Sequence, residues 1–566
     1  MSLLRVLRTV AWLEPRQIRG QLAWRVRRQV ESPDAWRRRP VPPDPGRRGL
    51  PAGDFLLSGP QRQRADALRA GRFEFLNRSE PLGWPPRWDT PELPLLWSYN
   101  LHYFEYLAAL SYEDARALVL DWIARHPVGR ERVGWAPYPT SLRLGNWCAF
   151  FFGRHAARTE ADAELRSALW SSIQLQADWL ADHLEFHLLG NHLFENAAAL
   201  ALCGAFFAGH QADAWLAQGL ALLGRELDEQ VLPDGGHFER SPMYQARVVA
   251  VLDALEKTGC APVVQRVRTP LARMRSALAA LTHPDGDIAL LNDSAFGIAN
   301  PASELAAPAP PGPFALPQTG YFGARGESGD YVVCDAAPIG PDYLPGHAHG
   351  DIFSFELSLR GRRVIVDAGV SGYEADEARA WCRSTRAHNT VEIDGEDQCE
   401  FWAAFRVARR GRPRDVTWEA CGAGFALEGW HDGYERLASR ARHRRRFRWH
   451  PEGVLLVRDT VTARRPVRAA SRLHLHPDCE IRLDGASGAR VSFPGGSFRV
   501  AFAGEGEFAV ESSTWHPEFG VVRQNRALAF HARGPGVTGF CVAAGDSPLA
   551  FALDAGARVG ETRYLP

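Results

Sequence analysis

The sequence predicts an α+β multidomain chain, an N-terminal helical array or (α/α) toroid followed by an antiparallel β-sandwich, on three observations. Residues from about 100 to 285 carry one helical segment after another. A proline- and alanine-rich stretch follows at 300–320, and beyond it the pattern turns to alternation and β-branched runs. Four parts are expected: 1–95 as an extension wrapping the toroid, 96–299 as the toroid, 300–320 as a linker and 321–566 as the β-sandwich.

The helical segments are YEDARALVLDWIARH, ELRSALWSSIQLQADWLADHLE, NHLFENAAALALCGAFFAG, ADAWLAQGLALLGRELDEQV and YQARVVAVLDALEKTG. Each has apolar residues at helical spacing, and short polar or glycine breaks between them favour antiparallel hairpins. Several are apolar on more than one face, as an inner ring covered by an outer one requires. The stretch NPASELAAPAPPGPFALPQTG has linker composition. After it, DYVVCDA, DIFSFELSL, RRVIVDAG, NTVEID, GVLLVRDTV and SRLHLHPD read as short strands between glycine or aspartate turns, the signature of a large sandwich. The first hundred residues, rich in Arg, Pro and Trp (PPDPGRRGLPAG, PLGWPPRWDTPELPLLW), predict a short helix and extended wraps.

Composition narrows the function. A chain of 566 residues with 45% hydrophobic content, 18 Trp and 29 Phe can fill sizeable cores. Sixty-six basic residues balance sixty-six acidic ones, so no bulk charge argues for nucleic acid or an anionic membrane. The bases are arginines apart from Lys257, which disfavours Schiff-base chemistry and suits carboxylate or sulfate groups on a ligand. A GC-rich genome accounts for the same bias. Nine dispersed cysteines without a C-x-x-C pair read as buried thiols. No apolar h-region with a cleavage site and no run of eighteen apolar residues is present, so no transmembrane segment is expected. The expected compartment is cytoplasmic, with the periplasm left open.

Three stretches offer chemistry. In HLLGNHLFENAAAL, Asn191 opens a helix with His192 in its first turn and Glu195 one turn on. That is an N-cap, or a pair of donors for an anion at a helix mouth. In DGGHFERSPMYQARVV, Ser241 and Pro242 are start signals that put Tyr244 in the first turn. There it is a packed aromatic, or a phenol whose ionisation the helix end and nearby Arg240 or Arg247 would favour. In LPGHAHGDIFSFELSLRGRRVIVDAGVSGY, His347 and His349 project to one side of an extended segment, Asp367 ends a strand, and His388 follows in RSTRAHNTVEIDG. His349, Asp367 and His388 make a two-nitrogen, one-oxygen set for Zn²⁺, or satisfied polar residues at a domain interface. HLEFH at 183–187 has the wrong arrangement for a zincin and reads as the surface of an amphipathic helix. The chain has no G-x-S-x-G elbow, Walker loop, H-E-x-x-H helix or G-x-G-x-x-G turn.

Together WAPYPTSLRLGNW, GNHLFENAAAL, DGGHFERSPMYQ, PGHAHGDIFSFELSLRGRRVIVDAGVSGY and RSTRAHNTVEIDGEDQCEFW resemble the heparinase II/III family of polysaccharide lyases, in that family's order. The resemblance implies the toroid-and-sandwich fold and β-elimination at a uronic acid within an anionic polysaccharide. By position, Asn191 and His192 match the pair that neutralises the uronate carboxyl. Tyr244 matches the catalytic acid, which also serves as base for one sugar configuration, and His347 the base for the opposite one. His349, Asp367 and His388 match the family's zinc ligands, where the metal is largely structural. Arg143, Arg240, Arg383, Arg386 and Glu195 are candidate substrate contacts. The segments SYNLHYFEYL and YPTSLRLGNW also look like a branch associated with bacterial surface-polysaccharide synthesis, so editing of a capsule or exopolysaccharide stands beside degradation. Two other functions compete: a glycoside hydrolase using Glu195 and Glu239, and a glycan-binding assembly protein without turnover.

Overall fold

A computed structural model describes residues 3–48, 63–129 and 133–566. The expected helical segments form Tyr112–Arg125, Ala163–Asp182, Gly190–Phe206, Gly209–Gln230 and Pro242–Lys257, joined by Leu95–Tyr103, Pro137–Trp147 and Ala261–Ala280. Every residue of Gly190–Phe206 except His192 is buried, so this helix runs through the core of the helical part. Its antiparallel neighbour Gly209–Gln230 lies close because two glycines lack side chains. A Cβ on Gly219 would come within 2.4 Å of the Ala201 nitrogen, and one on Gly204 within 2.5 Å of Leu216 Cβ. Truncating a leucine of that helix to alanine would cost about 2–5 kcal/mol in lost packing.

The β-part is antiparallel throughout its named sheets. An eight-stranded sheet runs, in spatial order, Pro413–Cys421, Gly424–His431, Arg442–His450, Val454–Thr462, Gly536–Ala544, Gly496–Gly504, Gly488–Phe493 and Glu480–Leu483. Against it lie a five-stranded sheet, Gly312–Leu316 through Arg362–Ile365 in sequence order, and a four-stranded one centred on Val467–His474 and Arg523–Gly534. Phe355, Phe447, Val457, Phe530 and Phe540 share the core between them. The other face of the five-stranded sheet, through Tyr321, Tyr331 and Val333, packs on Ala277 and Leu281 of the helical part. Burial on both faces explains why Tyr331–Asp335 and Phe355–Leu359 show no polar alternation.

Two readings of local structure change. Part of the expected linker is a strand, Gly312–Leu316, paired with Tyr321–Arg325; its Pro313 sits where an edge strand tolerates a missing donor. The N-terminal extension contains helices Leu3–Val10, Pro15–Val30 and Pro33–Arg37 and a hairpin, Arg72–Phe75 with Arg78–Pro81. The hairpin turns on Leu76 and Asn77, both at positive φ, a two-residue connection that matches strand twist. Asn77 Nδ2 donates to the Phe519 carbonyl at 2.9 Å, so the hairpin tip reaches the β-domain. An extended wrap is present at 46–48 beside Phe206 and Ala208; residues 49–53 of PPDPGRRGLPAG lie outside the described residues. No helix among the described residues is long and apolar enough to cross a membrane. All nine cysteines are free.

Candidate functional site

The helical and β-parts meet around a cavity of ≈ 450 Å³ lined by Asn191, His192, Tyr244 and His347, with Tyr373 and Tyr138 among the surrounding aromatics. Asn191 lies in the first turn of Gly190–Phe206, one residue inside the helix rather than at its cap, which is Leu189. Gly190 takes φ +57° there, and a Cβ on it would come within 2.8 Å of Glu239 Oε1. The missing side chain lets Glu239 accept from the Asn191 backbone N–H at 3.2 Å. Asn191 Nδ2 lies 3.4 Å from His347 Nε2. Glu239 Oε2 is 3.3 Å from the same nitrogen, so a carboxyl backs both residues. Burial pushes that carboxyl above its usual range.

His192 Nδ1 is 3.1 Å from Glu185 Oε1, and Asn196 Nδ2 donates to Glu185 Oε2 at 3.1 Å. Burial alone would lower the imidazole's pKa, but the Glu185 carboxylate outweighs it and the net shift is upward. HLEFH is therefore not surface. The helix ends at Asp182, the chain turns inward and Glu185 is buried.

Ser241 starts the Pro242–Lys257 helix as expected, accepting from the Tyr244 N–H at 3.2 Å and donating to the Asp293 carbonyl at 2.6 Å. The Tyr244 ring lies 4.2 Å from that of His347, and its hydroxyl is 3.0 Å from the Tyr373 hydroxyl. Of the two readings of Tyr244, the phenol with a lowered pKa does not hold. Burial, then the phenols of Tyr373 and Tyr138, hold it well above the ordinary value. Neither arginine compensates, because Arg247 is ion-paired with Glu195 at 3.0 Å and Glu105 at 3.3 Å, and Arg240 donates to the Phe238 and Thr319 carbonyls. A neutral phenol at this position is a proton donor at ordinary pH.

GHAHGD is a loop, and its two histidines converge on Asp293. His347 Nδ1 is 2.8 Å from Asp293 Oδ2, and His349 Nε2 is 2.8 Å from Oδ1. Arg379 closes the carboxylate with a two-pronged contact, one prong at 2.8 Å. Asn292, at φ +56°, turns the chain so that its side-chain oxygen accepts from the His349 N–H at 2.9 Å.

Behind this loop, His349, Asp367 and His388 offer ligand atoms within 4.8 Å of one another, all fully buried. His388 Nδ1 lies 2.8 Å from Asp367 Oδ2. His349 Nδ1 and His388 Nε2 are buried without a hydrogen-bond partner, an expense of about 1–3 kcal/mol each that a bound cation would remove. Burial keeps His349 neutral, its pKa lowered to about 3, as a ligand must be. Burial also raises Asp367 and the neighbouring Asp351, and Asp367 raises His388 against the pull of burial, so a bound cation would take the place of that proton. These residues fit a metal ion by donor type and burial. The cluster rests on Arg445, which pairs with Asp459 at 2.7 Å and donates to the Asn389 and Phe353 carbonyls.

The structure separates the candidate substrate contacts from the cavity. Arg143 is buried among helices, donating to Gln176 at 2.8 Å and stacked over Trp122. Arg383 is buried and donates to the Ala348 and Ala404 carbonyls, and burial lowers its pKa to about 9. Arg240 braces the turn before its helix. Arg386 is exposed over Trp381. Glu195 is buried under Arg247. None of the five lines the cavity, where Arg247 is the sole arginine among the described residues. An isolated arginine in a sequence carries no sign of whether it faces solvent or supports a loop. Asp293 and Tyr373 were missed for the complementary reason, since each acts through a contact distant in sequence. Glu185 was read as helix surface, and Glu239 was noticed only as half of a hydrolase pair, not as the support of Asn191 and His347.

The fold and site define a class, a helical toroid and a β-sandwich sharing one polar seam beside a buried His–Asp–His cluster. Residues 111–303 match the model of the heparinase II/III N-terminus, and residues 308–551 that of the heparinase II/III-like C-terminal domain. The chain belongs to the heparinase II/III-like family. It is 28% identical over 321 residues to the heparin-sulfate lyase of Pedobacter heparinus, covering 49% of this chain and 47% of that protein. The matching segment thus spans about half the length of that curated relative. It is 27% identical over 490 residues to the FtsZ-localized protein C of Caulobacter vibrioides, covering 79% of this chain and 78% of that one. A heparinase III crystal structure matches with a TM-score of 0.69 at 16% identity, covering 95% of this chain and 93% of that one. The heparan sulfate lyase structure from Pedobacter heparinus gives 0.61 at 18% identity, covering 94% and 92%. At such identities the structures speak for the fold.

Proposed function

We propose that the protein is a polysaccharide lyase that cleaves a uronic-acid-containing polymer by β-elimination. The convergence of Asn191, His192, Tyr244 and His347 on one cavity, from two domains, carries this reading. The chemical obstacle is removal of the C5 proton beside a carboxylate that resists further negative charge. Asn191 Nδ2 and His192 would hydrogen-bond that carboxyl, and the raised pKa of His192 supports a cationic partner for it. With Nδ1 held by Asp293, His347 presents Nε2 as base on one side of the sugar. Tyr244 lies beside it, its ring 4.2 Å from the imidazole. The base takes the C5 proton, the C4–oxygen bond breaks, and Tyr244 protonates the departing glycosidic oxygen. The product carries a C4–C5 double bond conjugated with the carboxyl. For substrates of the opposite C5 configuration Tyr244 would serve as both base and acid.

The charge of the cavity supports a weakly sulfated polymer. Its one arginine among the described residues is already paired with Glu195 and Glu105, while Glu74, Glu105 and Glu374 line the wall with aromatic rings. A densely sulfated chain would need several unpaired guanidinium groups there. Editing of a bacterial capsule or exopolysaccharide fits this character as well as degradation does. A structural Zn²⁺ would be held by His349, Asp367 and His388, where it would fix the loop that carries His347. The hydrolase reading is less well supported, because Glu195 and Glu239 are both buried in contacts of their own and neither lines the cavity.

Incubation with a panel of uronate polymers tests the reading. Rising ultraviolet absorbance from the conjugated double bond is expected; new reducing ends without absorbance would transfer the site to hydrolysis.

A further inference from the structure

The N-terminal helices are oriented the wrong way round for a protein whose surroundings are only water. Leu3–Val10 contacts the β-domain through polar groups. Trp402 Nε1 donates to Thr9 Oγ1 at 3.1 Å, and Arg5 pairs with Glu400 at 3.0 Å. Pro15–Val30 does the same across the seam: Gln17 donates to the Tyr343 carbonyl at 3.1 Å and Gln21 to that of His187 at 3.4 Å. Gly20 sits against Phe186 and His187 so closely that a Cβ would come within 2.7 Å of the backbone.

The apolar residues point the other way. Ile18, Leu22, Val26 and Val30 follow one another at i, i+4 spacing along the face opposite Gly20, and all four are exposed, Val30 by 76%. Leu3, Leu7 and Val10 form the matching stripe on the first helix, Leu3 exposed by 72%. Ten of the seventeen large apolar side chains exposed among the described residues fall between 3 and 30. A helix packed on a globular protein places its apolar stripe inward. Here the stripe faces out from both helices, far beyond the scattered exposure that needs no explanation.

Charge identifies the occupant. Pro15–Val30 contains five arginines and no acidic residue, and Arg37, Arg38 and Arg39 follow it. Arg19 and Arg25 flank the apolar stripe and are exposed. A second copy would bring this positive face onto itself, which like-charge repulsion opposes. An apolar stripe flanked by arginines matches a helix lying in the headgroup region of an anionic bilayer. The overall charge balance of the chain conceals this local excess.

We propose that the helices Leu3–Val10 and Pro15–Val30 dock the protein peripherally on an anionic lipid surface. Docking there leaves the chain on one side of the bilayer, with the helices strapping the helical and β-parts from outside the cavity.

Co-sedimentation of the full chain with vesicles tests this. Phosphatidylcholine vesicles containing phosphatidylglycerol should bind at least about tenfold more protein than phosphatidylcholine alone, with binding falling as salt rises. Leu22→Glu with Val26→Glu should cut binding about tenfold without changing the melting transition, since both side chains face solvent. Arg19→Gln with Arg25→Gln should weaken the preference for the anionic vesicles while leaving the fold intact. Failure to sediment with either vesicle would overturn the proposal, as would undiminished binding by the Leu22→Glu, Val26→Glu variant. Sedimentation velocity showing a dimer that this variant dissolves, with no vesicle binding, would also overturn it and assign the face to a second copy.

Discussion

Asp293 holds His347 by its Nδ1 atom at 2.8 Å, and that contact fixes which nitrogen the cavity sees. With the proton on Nδ1 directed at a carboxylate, Nε2 remains an acceptor beside Asn191. Asp293→Asn would offer an amide that can bond either tautomer, so the base is presented correctly only part of the time. A fall in kcat of about 10²- to 10⁴-fold is expected. Arg379 would also lose its buried partner, at a cost of about 3–5 kcal/mol, so the melting temperature should drop too. Steady-state turnover normalised to folded protein separates the effects, and an unchanged kcat would remove Asp293 from the positioning role.

Tyr244 and Tyr373 make a second pair with different consequences. Tyr244→Phe removes the proton donor and should abolish the ultraviolet signal, with a loss of about 10²-fold or more. Tyr373→Phe removes only a neighbour 3.0 Å away and should leave measurable turnover. Each loses one hydroxyl contact, worth about 1 kcal/mol, so both should fold. Equal inactivation of the two variants would contradict the assignment of the acid to Tyr244.

The way these pairs arise explains what was legible in the sequence. The helices around Gly190 and the strands after 321 announce themselves through apolar spacing, and Ser241-Pro242 announces the start of the helix that carries Tyr244. Motif order brought Asn191, His192, Tyr244, His347 and the His–Asp–His cluster to notice. Their supports did not announce themselves. Glu185 stands in a stretch that reads as amphipathic helix, and Asp293 lies 54 residues from His347 with no pattern linking them. Arginines misled most, because Arg143 and Arg383 have the side chain of a ligand contact and the surroundings of a structural brace. The strand Gly312–Leu316 was hidden by proline and alanine, which an edge strand accepts and composition assigns to linkers.

Glu185 sets the pH response of His192. Burial pulls the imidazole down, Glu185 more than restores it, and the folded-state value stands above the ordinary 6.5. The stabilising contribution of that pair is therefore present below about pH 6.5 and lost as pH rises through the raised value. If the charged ring neutralises the substrate carboxyl, activity should fall over the same upper range. Glu185→Gln removes the raising charge, so the alkaline limb of the kcat/KM profile should move toward acid. A limb that stays in place would show that another group sets it.

Metal removal should act on stability before chemistry. His388→Ala takes away one of three buried ligands and leaves Asp367 without its 2.8 Å partner. Elemental analysis of the purified protein is expected to give one metal per chain, and none for the variant. Chelation of the wild type should lower its melting temperature, since a ligand held at about 100 times its Kd contributes about 2.7 kcal/mol. Metal-free protein with an unchanged melting curve on zinc addition would end the assignment of the cluster as a metal centre.

The cavity's charge predicts an order of substrates. A sulfate group brought against Glu74, Glu105 and Glu374 meets like charge, and Arg247 can answer it only by leaving Glu195 and Glu105. Breaking that buried arrangement is costly, because Glu195 would remain as an unpaired carboxylate inside the protein. An unsulfated polyuronate asks for one neutralised carboxyl, which Asn191 and His192 can supply, while aromatic walls such as Tyr138 and Phe405 can pack against sugar faces. Unsulfated polymers should therefore exceed heparin in kcat/KM by about tenfold or more, a difference of roughly 1.4 kcal/mol. Glu105→Gln should narrow the gap by freeing Arg247 for the ligand. Faster cleavage of heparin by the wild type would mean that the ligand is read by groups outside this cavity.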